Sequence, residues 1–302
     1  MRIIGKAEKY YQEGKEYVKE QQKKNSYITS GSRELDQLFD GAIPSGKLIE
    51  LVGESRSGKT QICLTCAATV QLPFEEGGVS GKVLYIDTDN SFNLHHYLRI
   101  GNRFGLEKDE LLENLVYVEA ERVMILEEVI DLLPEAIKKF GIKIIIIDSI
   151  VAPYEREYSQ MNQYPWIQKT LYGFLGRVKA LAIKEQLFAI YTNQVRDNFA
   201  QNSCFMPYLP YGGTFLAHIP DIQVSLKKLK GNMRRAKIEA CAWLPVETAD
   251  FYLTKVGIYD DEEYHELPKE EPIKEKKKVS RLLEGLEEIE EQYLKKKKVR
   301  IG

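Results

Sequence analysis

The stretch of residues 53–60, Gly-Glu-Ser-Arg-Ser-Gly-Lys-Thr, constrains the fold of this chain more than any other. It matches the phosphate-loop pattern G-x-x-x-x-G-K-[ST], in which glycines allow a backbone that turns its N–H groups around phosphate oxygens. In this pattern Lys59 places a positive charge by the β- and γ-phosphates, and Thr60 offers a hydroxyl to Mg²⁺. Residues 47–52 predict a strand before the loop, and residues 61–68 predict a helix whose N-terminus faces the anion. The residues predicted to contact the nucleotide are Gly53, Glu54, Ser55, Arg56, Ser57, Gly58, Lys59, Thr60 and Gln61.

Composition excludes several classes of protein. The chain has 302 residues, enough for one large or two modest domains, and 43% of them are hydrophobic, which suits a packed core. The formal net charge of −2 gives no global field that attracts nucleic acid, so any DNA site must be a local patch. The N-terminus lacks the apolar region of a signal peptide, and no apolar run approaches the roughly 20 residues that span a bilayer. These features predict a soluble, cytoplasmic protein without a membrane partner.

The four cysteines are too few and too scattered for a disulfide scaffold. Cys63 and Cys66 form a C-x-x-C pair, but this pair falls in the helix predicted after the phosphate loop. No second Cys or His pair completes a zinc site. We therefore predict that both thiols pack in the apolar core.

The order of predicted elements indicates the fold class. Strands and helices alternate up to about residue 194, and strands alone follow. This order predicts an α/β fold with a mostly parallel central sheet flanked by helices and an antiparallel C-terminal edge. Strands are predicted at 82–86, 115–118, 144–147, 187–191, 222–229, 237–242 and 251–259, and helices at 94–104, 125–140 and 166–186. Residues 195–213 show no period and predict a long loop, of the kind that is usually functional or disordered.

Changes in composition divide the chain into three parts: an N-terminal arm or helix at 1–26, a core at 27–259, and a charged linker with a C-terminal helix at 260–302. In the last part apolar residues repeat at 3-4 spacing over two heptads, at Val279, Leu282, Leu286, Ile289 and Tyr293. Two heptads are short for a coiled coil. A helix docked on its own core and a helix that binds a partner both stay open.

Asp148 ends the β-branched run 144–147, which suits a strand buried on both faces of a parallel sheet. In a phosphate-loop protein, a carboxylate at that place holds Mg²⁺ through its water shell. An ordinary loop aspartate is the alternative, but a phosphate loop requires such a carboxylate partner. Thr60 and Asp148 are therefore the predicted metal residues.

Six stretches, taken in chain order, resemble the RecA/RadA/eukaryotic-recombinase family, and its archaeal and eukaryotic branch in particular. They are residues 29–36, 53–63, 85–88, 147–149, 192–195 and 212–218. The resemblance covers residues 27 to about 258 and implies a RecA-like P-loop ATPase core that binds ATP and Mg²⁺. It also implies head-to-tail assembly into filaments on DNA, with ATP at the junction between neighbours.

The same resemblance implies three catalytic residues. Asp89 falls where the family has a glutamate that activates the attacking water. Gln194 falls at the glutamine that senses the γ-phosphate, and His218 falls at a histidine that reaches the γ-phosphate of a neighbouring subunit. A polar strand-end cap for Gln194 and a hydrogen-bonded core histidine for His218 are the alternatives.

The chain departs from the family pattern at several positions. Asp89 is one methylene shorter than the family's glutamate, and a misplacement of about 1 Å can lower a rate roughly a hundredfold. Residues 93–96 replace a stretch with two arginines, one of which packs on adenine, and Ala240 replaces an aspartate that caps ATP from the next subunit. The family's first DNA loop, which falls around residues 158–162 of this chain, lacks the arginine expected near Met161, and we expect no N-terminal helix-hairpin-helix domain. These losses indicate a RadA paralog, an accessory member of the family, with slow hydrolysis.

A basic cluster follows the second DNA loop, which the resemblance places at residues 195–213. The predicted DNA-binding residues are Arg196, Phe205, Lys227, Lys228, Lys230, Arg234 and Arg235. Arg196 is the only basic residue of the loop, and Phe205 could stack on a base or simply pack. The basic residues that follow the loop, from Lys227 to Arg235, form either a surface that contacts phosphates or an ordinary solvated face.

Residues 4–7, Ile-Gly-Lys-Ala, stand where full recombinases of this branch carry an F-x-x-A motif that a neighbouring subunit binds. Ile4 and Ala7 are therefore the predicted oligomerisation residues. Ile4 would enter a pocket on the next subunit, and an extended segment there would add main-chain hydrogen bonds to a sheet edge. An untethered terminus is the alternative.

The residues and the resemblance together imply an ATP-dependent DNA-binding protein of homologous recombination and DNA repair. The departures favour a RadA-like paralog that binds single-stranded DNA and associates with itself or with a companion RadA-type recombinase. Two alternatives stay open. One is a strand-exchange recombinase in its own right, and the other is an ATP-gated regulator of protein assembly without a DNA site.

Overall fold

The computed structural model describes residues 14, 25–158, 164–197, 208–210, 216 and 218–261. The core predicted at 27–259 falls mostly within these residues. The predicted arm at 1–26, with Ile4 and Ala7, and the predicted tail at 260–302 lie almost wholly outside them. In the described part of the chain, the helices are all too short or too polar to cross a membrane.

In the part of the chain that the structure describes, the strands form one large sheet and one small one. They are β1 (Tyr27–Ile28), β2 (Ile43–Pro44), β3 (Lys47–Gly53), β4 (Lys82–Asp87), β5 (Leu115–Glu119), β6 (Ile142–Asp148), β7 (Phe188–Asp197), β8 (Tyr208–Pro210), β9 (Ile222–Lys228), β10 (Met233–Cys241), β11 (Thr248–Thr254) and β12 (Gly257–Tyr259). The ten-stranded sheet has the order β12-β11-β10-β9-β3-β7-β6-β4-β5, with β8 paired to β7. Neighbours from β9 to β5 are parallel, and β9 to β12 pair antiparallel. The predicted mostly parallel sheet with an antiparallel edge is confirmed.

Helices cover both faces of this sheet. Among the described residues they are α1 (Arg33–Leu38), α2 (Lys59–Thr69), α3 (Leu94–Arg103), α4 (Lys108–Glu113), α5 (Val123–Phe140), α6 (Ala152–Glu157) and α7 (Tyr164–Glu185). Helices α1 to α4 belong to one apolar layer, and α5 to α7 belong to the other. Cys63 and Cys66 are both buried in the first layer, as predicted.

Strand β6 shows why its sequence is a continuous apolar run. Ile144 and Ile146 pack in the layer of α2, whereas Ile145 and Ile147 pack in the layer of α7. Successive side chains of a strand point to opposite faces, so a strand covered on both faces needs apolar residues at every position. The carboxyl end of β6, where Asp148 lies, therefore emerges between two apolar layers.

Several details of the prediction were wrong. Strand β7 continues to Asp197 and pairs with β8, so residues 195–197 and 208–210 are strand and not loop. Strand β9 is parallel to β3, so the antiparallel edge begins one strand later. The strand predicted at 251–259 is a tight hairpin of β11 and β12. Helices α4 and α6 were not predicted, because six residues are too few to show a helical period.

Candidate nucleotide site at the carboxyl ends of the sheet

The phosphate loop connects the end of β3 to the start of α2. Gly58 has a φ of 107°, in the left-handed region that favours glycine, and it forms the N-cap of α2. Gly53 is required for close packing and not for an unusual backbone angle: a Cβ there would lie 2.5 Å from the carbonyl oxygen of Leu226. The loop thus packs closely on β9 at one end and presents a helix N-terminus at the other, where anions bind.

The Lys59 side chain folds back into the loop and is only 9% exposed. Its Nζ donates to the carbonyl oxygens of Gly53, at 2.8 Å, and Glu54, at 2.9 Å. Burial lowers the pKa of Lys59, and the carboxylate of Asp148 opposes this shift. Because Lys59 is shielded from water, its attraction to a phosphate is less screened than that of an exposed lysine.

Asp148 is held at the end of β6 by two neutral hydroxyl groups. The Tyr85 hydroxyl donates to Oδ2 at 3.0 Å, and the Thr192 hydroxyl donates to Oδ1 at 2.5 Å. These side chains come from β4 and β7, the strands on either side of β6. Asp148 is 4% exposed, so the neighbouring strands fix this carboxylate in place.

The residues at this end of the sheet fit a nucleotide with a divalent cation. Oxygen donors of the kind that Mg²⁺ prefers are available in the Asp148 carboxylate and the Thr60 hydroxyl. Among the described residues, Ser57 Oγ in the loop is buried without a hydrogen-bond partner. Buried polar atoms are normally paired, so this hydroxyl points to a ligand of the loop.

The turn that follows β4 is organised by Asp87, which the sequence analysis did not single out. Its carboxylate accepts hydrogen bonds from the backbone N–H groups of Asp89, at 3.2 Å, Ser91, at 3.1 Å, and Phe92, at 2.9 Å. The Tyr117 hydroxyl donates to the same carboxylate at 3.0 Å. These bonds fix the backbone that carries Asp89. An aspartate at a strand end two residues before the predicted catalytic position was the available signal.

Asp89 itself forms an ion pair that the sequence did not predict. Arg156, on α6, brings Nη2 to 3.3 Å from Asp89 Oδ1 and donates through Nη1 to the Glu121 carbonyl oxygen at 3.1 Å. Partial burial and the charge of Asp148 raise the pKa of Asp89, while Arg156 acts in the opposite direction. The negative charge of Asp89 also acts to raise the pKa of Lys59.

The structure places Gln194 beside the phosphate loop, whereas for His218 it shows an exposed position in a turn. Gln194 lies directly opposite Gly53 in the parallel register of β3 and β7. His218 is exposed in a turn, which contradicts the alternative of a core histidine. Its predicted contact with the γ-phosphate of a neighbouring subunit stays a prediction.

A cavity of about 290 Å³ lies beside the phosphate loop. Its lining residues are Arg56, Ser57, Gly58, Lys59, Thr60, Gln61, Arg234 and Leu253. Gln61 is also held from outside the loop, because His96 Nε2 on α3 lies 2.5 Å from Gln61 Oε1. The sequence analysis predicted that the loop residues of this lining contact the nucleotide. It did not predict that Arg234 on β10 and Leu253 on β11 lie beside them.

The structure divides the basic cluster that was predicted to bind DNA. Lys227, Lys228 and Lys230 are exposed. The Arg235 guanidinium donates to both oxygens of Asp250, at 2.6 and 2.7 Å. Arg234 is only 6% exposed, so a DNA contact by this residue conflicts with its burial. Adjacent strand residues point to opposite faces, and this separates Arg234 from Arg235. Phe205 and the side chain of Arg196 lie outside the described part of the structure.

The fold and the site define a phosphate-loop protein with a RecA-like core. A model of the Rad51 family matches residues 21–261. The chain is 38% identical over 242 residues to "DNA repair and recombination protein RadA" of Metallosphaera sedula, a match that covers 78% of this chain and 73% of the relative. It is 35% identical to "DNA repair protein RAD51 homolog 1" of Arabidopsis thaliana, over 77% of this chain and 69% of the relative. It is also 35% identical to "DNA repair protein rhp51" of Schizosaccharomyces pombe, over 78% and 65%. The chain belongs to the Rad51 family.

Proposed function

We propose that this protein is an ATP-dependent DNA-binding protein of homologous recombination and DNA repair. Family membership and the names of the relatives support this general role. The observation that carries the proposal is the grouping of Lys59, Asp148, Asp89 and Gln194 around the carboxyl ends of β3, β6, β4 and β7. In α/β proteins with parallel sheets, ligands bind at the carboxyl ends of the strands.

In this function each group of the site has a separate task. The N–H groups at the start of α2 and the Lys59 ammonium bind the phosphates of ATP. Asp148 and Thr60 hold Mg²⁺, which when bound neutralises charge on the phosphates. Asp89 orients the attacking water and accepts its proton, and Gln194, next to Gly53, contacts the γ-phosphate.

We further propose that hydrolysis is slow and that the chain is an accessory, paralog-type member of the family. The short Asp89 side chain shares its Oδ1 with Arg156. Burial and the charge of Asp148 raise the pKa of Asp89, but Arg156 opposes this shift, so Asp89 is a weaker base than it would be without this cation. A strand-exchange recombinase is the competing function.

The test is ATP hydrolysis by the full chain with and without single-stranded DNA, and with and without a companion RadA-type recombinase. We expect turnover below the ordinary enzyme range of about 1–10³ per second, with stimulation by single-stranded DNA. Lys59→Ala should lose most nucleotide affinity and all turnover, whereas Lys184→Ala, an exposed lysine of α7, should behave as the parent. If the chain alone exchanged strands between DNA molecules, the proposed accessory role would be replaced by that of a recombinase. Nucleotide-dependent assembly without any DNA affinity would favour a regulator of protein assembly.

A further inference from the structure

Strands β9, β10 and β11 support the phosphate loop at separate points. On β9, Leu226 lies so close to Gly53 that a Cβ at this glycine would meet its carbonyl oxygen at 2.5 Å. On β11, the Leu253 side chain lies 3.3 Å from the position of a Cβ at Gly58. On β10, Arg234 Nε donates to the carbonyl oxygen of Arg56 at 3.2 Å. The first two contacts are packing contacts, and the third is a hydrogen bond from a cation.

Arg234 also holds the turn that connects β9 to β10. Its Nη1 donates to the carbonyl oxygens of Gly231, at 3.1 Å, and Met233, at 2.9 Å. The guanidinium is planar and rigid, so a single side chain fixes the loop and the turn in one relative position. Arg234 is 6% exposed, and a cation so far removed from water needs hydrogen-bond partners to offset the cost of desolvation.

The residue that Arg234 contacts in the loop has an unusual backbone. Arg56 has a φ of 64°, in the left-handed region that residues with a Cβ rarely adopt. Such a conformation persists only where the surroundings support it. Arg234 supplies that support at the carbonyl oxygen of Arg56 and also lines the cavity beside the loop.

We infer that Arg234 is a positioning residue that couples the phosphate loop to the turn between β9 and β10. Nucleotide on the loop and the conformation of the turn then affect each other, because coupling between two sites is reciprocal. Lys228 directly precedes the turn and Lys230 lies within it, and both are exposed, so the coupling connects the nucleotide to these basic residues. This inference rests on the proposed function, since it requires a nucleotide on the loop.

The test combines nucleotide affinity with hydrogen exchange in the full chain. Two amides report on the turn, because Leu229 N–H donates to Met233 and Met233 N–H donates to Lys230. A non-hydrolysable ATP analogue with Mg²⁺ should slow exchange at both amides in the parent. In Arg234→Met the affinity for the analogue should fall about tenfold or more, as expected for loss of hydrogen bonds from a charged group. Protection of the turn should be lost even at saturating analogue.

Two further variants make the result specific. Lys237→Met removes a cation from the exposed face of the same strand, where it pairs with Glu239, and should leave affinity and protection unchanged. Arg234→Lys keeps the positive charge but lacks the planar guanidinium with its several N–H donors. It should therefore bind the analogue more tightly than Arg234→Met and less tightly than the parent. If Arg234→Met does not fold, Arg234→Lys and the exchange of the parent still decide the question. The inference would be overturned if a folded Arg234→Met variant bound the analogue as tightly as the parent does. It would also be overturned if bound nucleotide left hydrogen exchange at the turn of the parent unchanged. A parent that binds no nucleotide would instead overturn the proposed function, and the inference with it.

Discussion

At the scale of single residues, the Asp89 carboxylate, which we propose to act on the attacking water, forms an ion pair with Arg156. Both side chains are partly exposed, at 32% and 44%. Ion pairs of this kind are worth about 0.2–1 kcal/mol, so the pair restrains Asp89 without locking it. Asp148, by contrast, has hydrogen bonds on both carboxylate oxygens and is buried. These different surroundings agree with the tasks that we propose for the two carboxylates, proton acceptance at Asp89 and cation binding at Asp148.

Removing Arg156 should speed hydrolysis. In Arg156→Gln the Asp89 carboxylate loses its cation and becomes a better proton acceptor, so turnover should rise by a factor of up to about 5, the rate equivalent of the ion pair. Asp89→Asn should lower turnover and leave ATP binding intact, and adding Arg156→Gln to it should have no effect. Steady-state hydrolysis by the two single variants and the double variant checks this.

The matched control is Arg177→Gln, which breaks exposed ion pairs with Glu127 and Asp131 away from the site. It should hydrolyse ATP at the parent rate. A rise in turnover that also appears in the Asp89→Asn background would show that Arg156 acts through another group.

Sequence reasoning singled out the residues that a motif or the end of an apolar strand indicates. It missed those that reach the site from elements distant in the sequence. The phosphate loop is continuous in sequence, and Asp148 is marked by the apolar run before it. Arg234 was instead read as part of a charge run, because a run of basic residues does not show which of them face inward. Arg156 lies on a helix too short to predict, so its pairing with Asp89 had no sequence signal.

At the scale of the element, β3 is unusual because it carries a buried acid at its centre. Glu50 is 1% exposed, with Tyr191 opposite it on β7 and Gln223 opposite it on β9. Asn193 Nδ2 donates to one of its carboxylate oxygens at 2.7 Å, and Gln223 Nε2 donates to the other at 2.5 Å. Burial raises the pKa of Glu50, and these amide donors only partly oppose the shift. The strand that leads into the phosphate loop is thus tied through Glu50 to both neighbouring strands.

The stability of the protein should depend on pH through Glu50. Its raised folded pKa means that its contribution to stability is fully present below the unfolded value of about 4.3 and is lost as the pH rises through the folded value. Glu50→Gln cannot titrate. The free energy of unfolding of the parent, minus that of Glu50→Gln, should therefore decrease as the pH rises from about 4.3 to neutral. Urea denaturation of both proteins across this range measures the difference, and a difference that stays constant would contradict the raised pKa.

Element types were easier to predict than element ends. The period of the apolar residues identified the long helices and the buried strands, because both layers of the core need them. The end of β7 could not be predicted, since its last residues gain their partner only from β8, a strand of three residues. The β11–β12 hairpin was read as a single strand, because the sequence does not show where an apolar stretch reverses direction.

At the scale of the whole molecule, charge has to be distributed unevenly for a chain of net charge −2 to bind DNA. The exposed residues Lys227 and Lys228 at the end of β9, and Lys230 in the turn after it, are the basic residues that we propose for this role. Their reversal to Glu should weaken binding of single-stranded DNA for all sequences and flatten its dependence on salt, because fewer counterions are released. Titrations at several salt concentrations measure both effects.

The control reverses Lys138, Lys139 and Lys143, which are exposed at the other end of the sheet. This variant has the same net charge as the first. Equal losses of affinity in the two variants would mean that overall charge, and not the position of the reversed lysines, governs DNA binding.

Assembly of the molecule should depend on Ile4, which lies outside the described residues. We propose that Ile4 and Ala7 dock on another family member, either a second copy or a companion recombinase. Burial of an Ile side chain is worth about 1.5–3 kcal/mol, so Ile4→Glu should weaken assembly roughly tenfold or more. Sedimentation with ATP, alone and with a RadA-type recombinase, measures this. Identical sedimentation of parent and variant would show that the arm is not the tether.

The position of β3 has a consequence for how the protein is made. This largely buried strand is the middle of the sheet, yet its partners β7 and β9 are encoded far downstream. At a synthesis rate of about 5–20 residues per second, the ribosome needs on the order of ten seconds to deliver β7 after β3 has emerged. During this time both edges of β3 are open to pairing with other chains, which is the condition under which nascent proteins aggregate or recruit chaperones. A nascent chain stalled before residue 188 would therefore carry the complete phosphate-loop sequence and still be unable to form the sheet that gives the loop its shape.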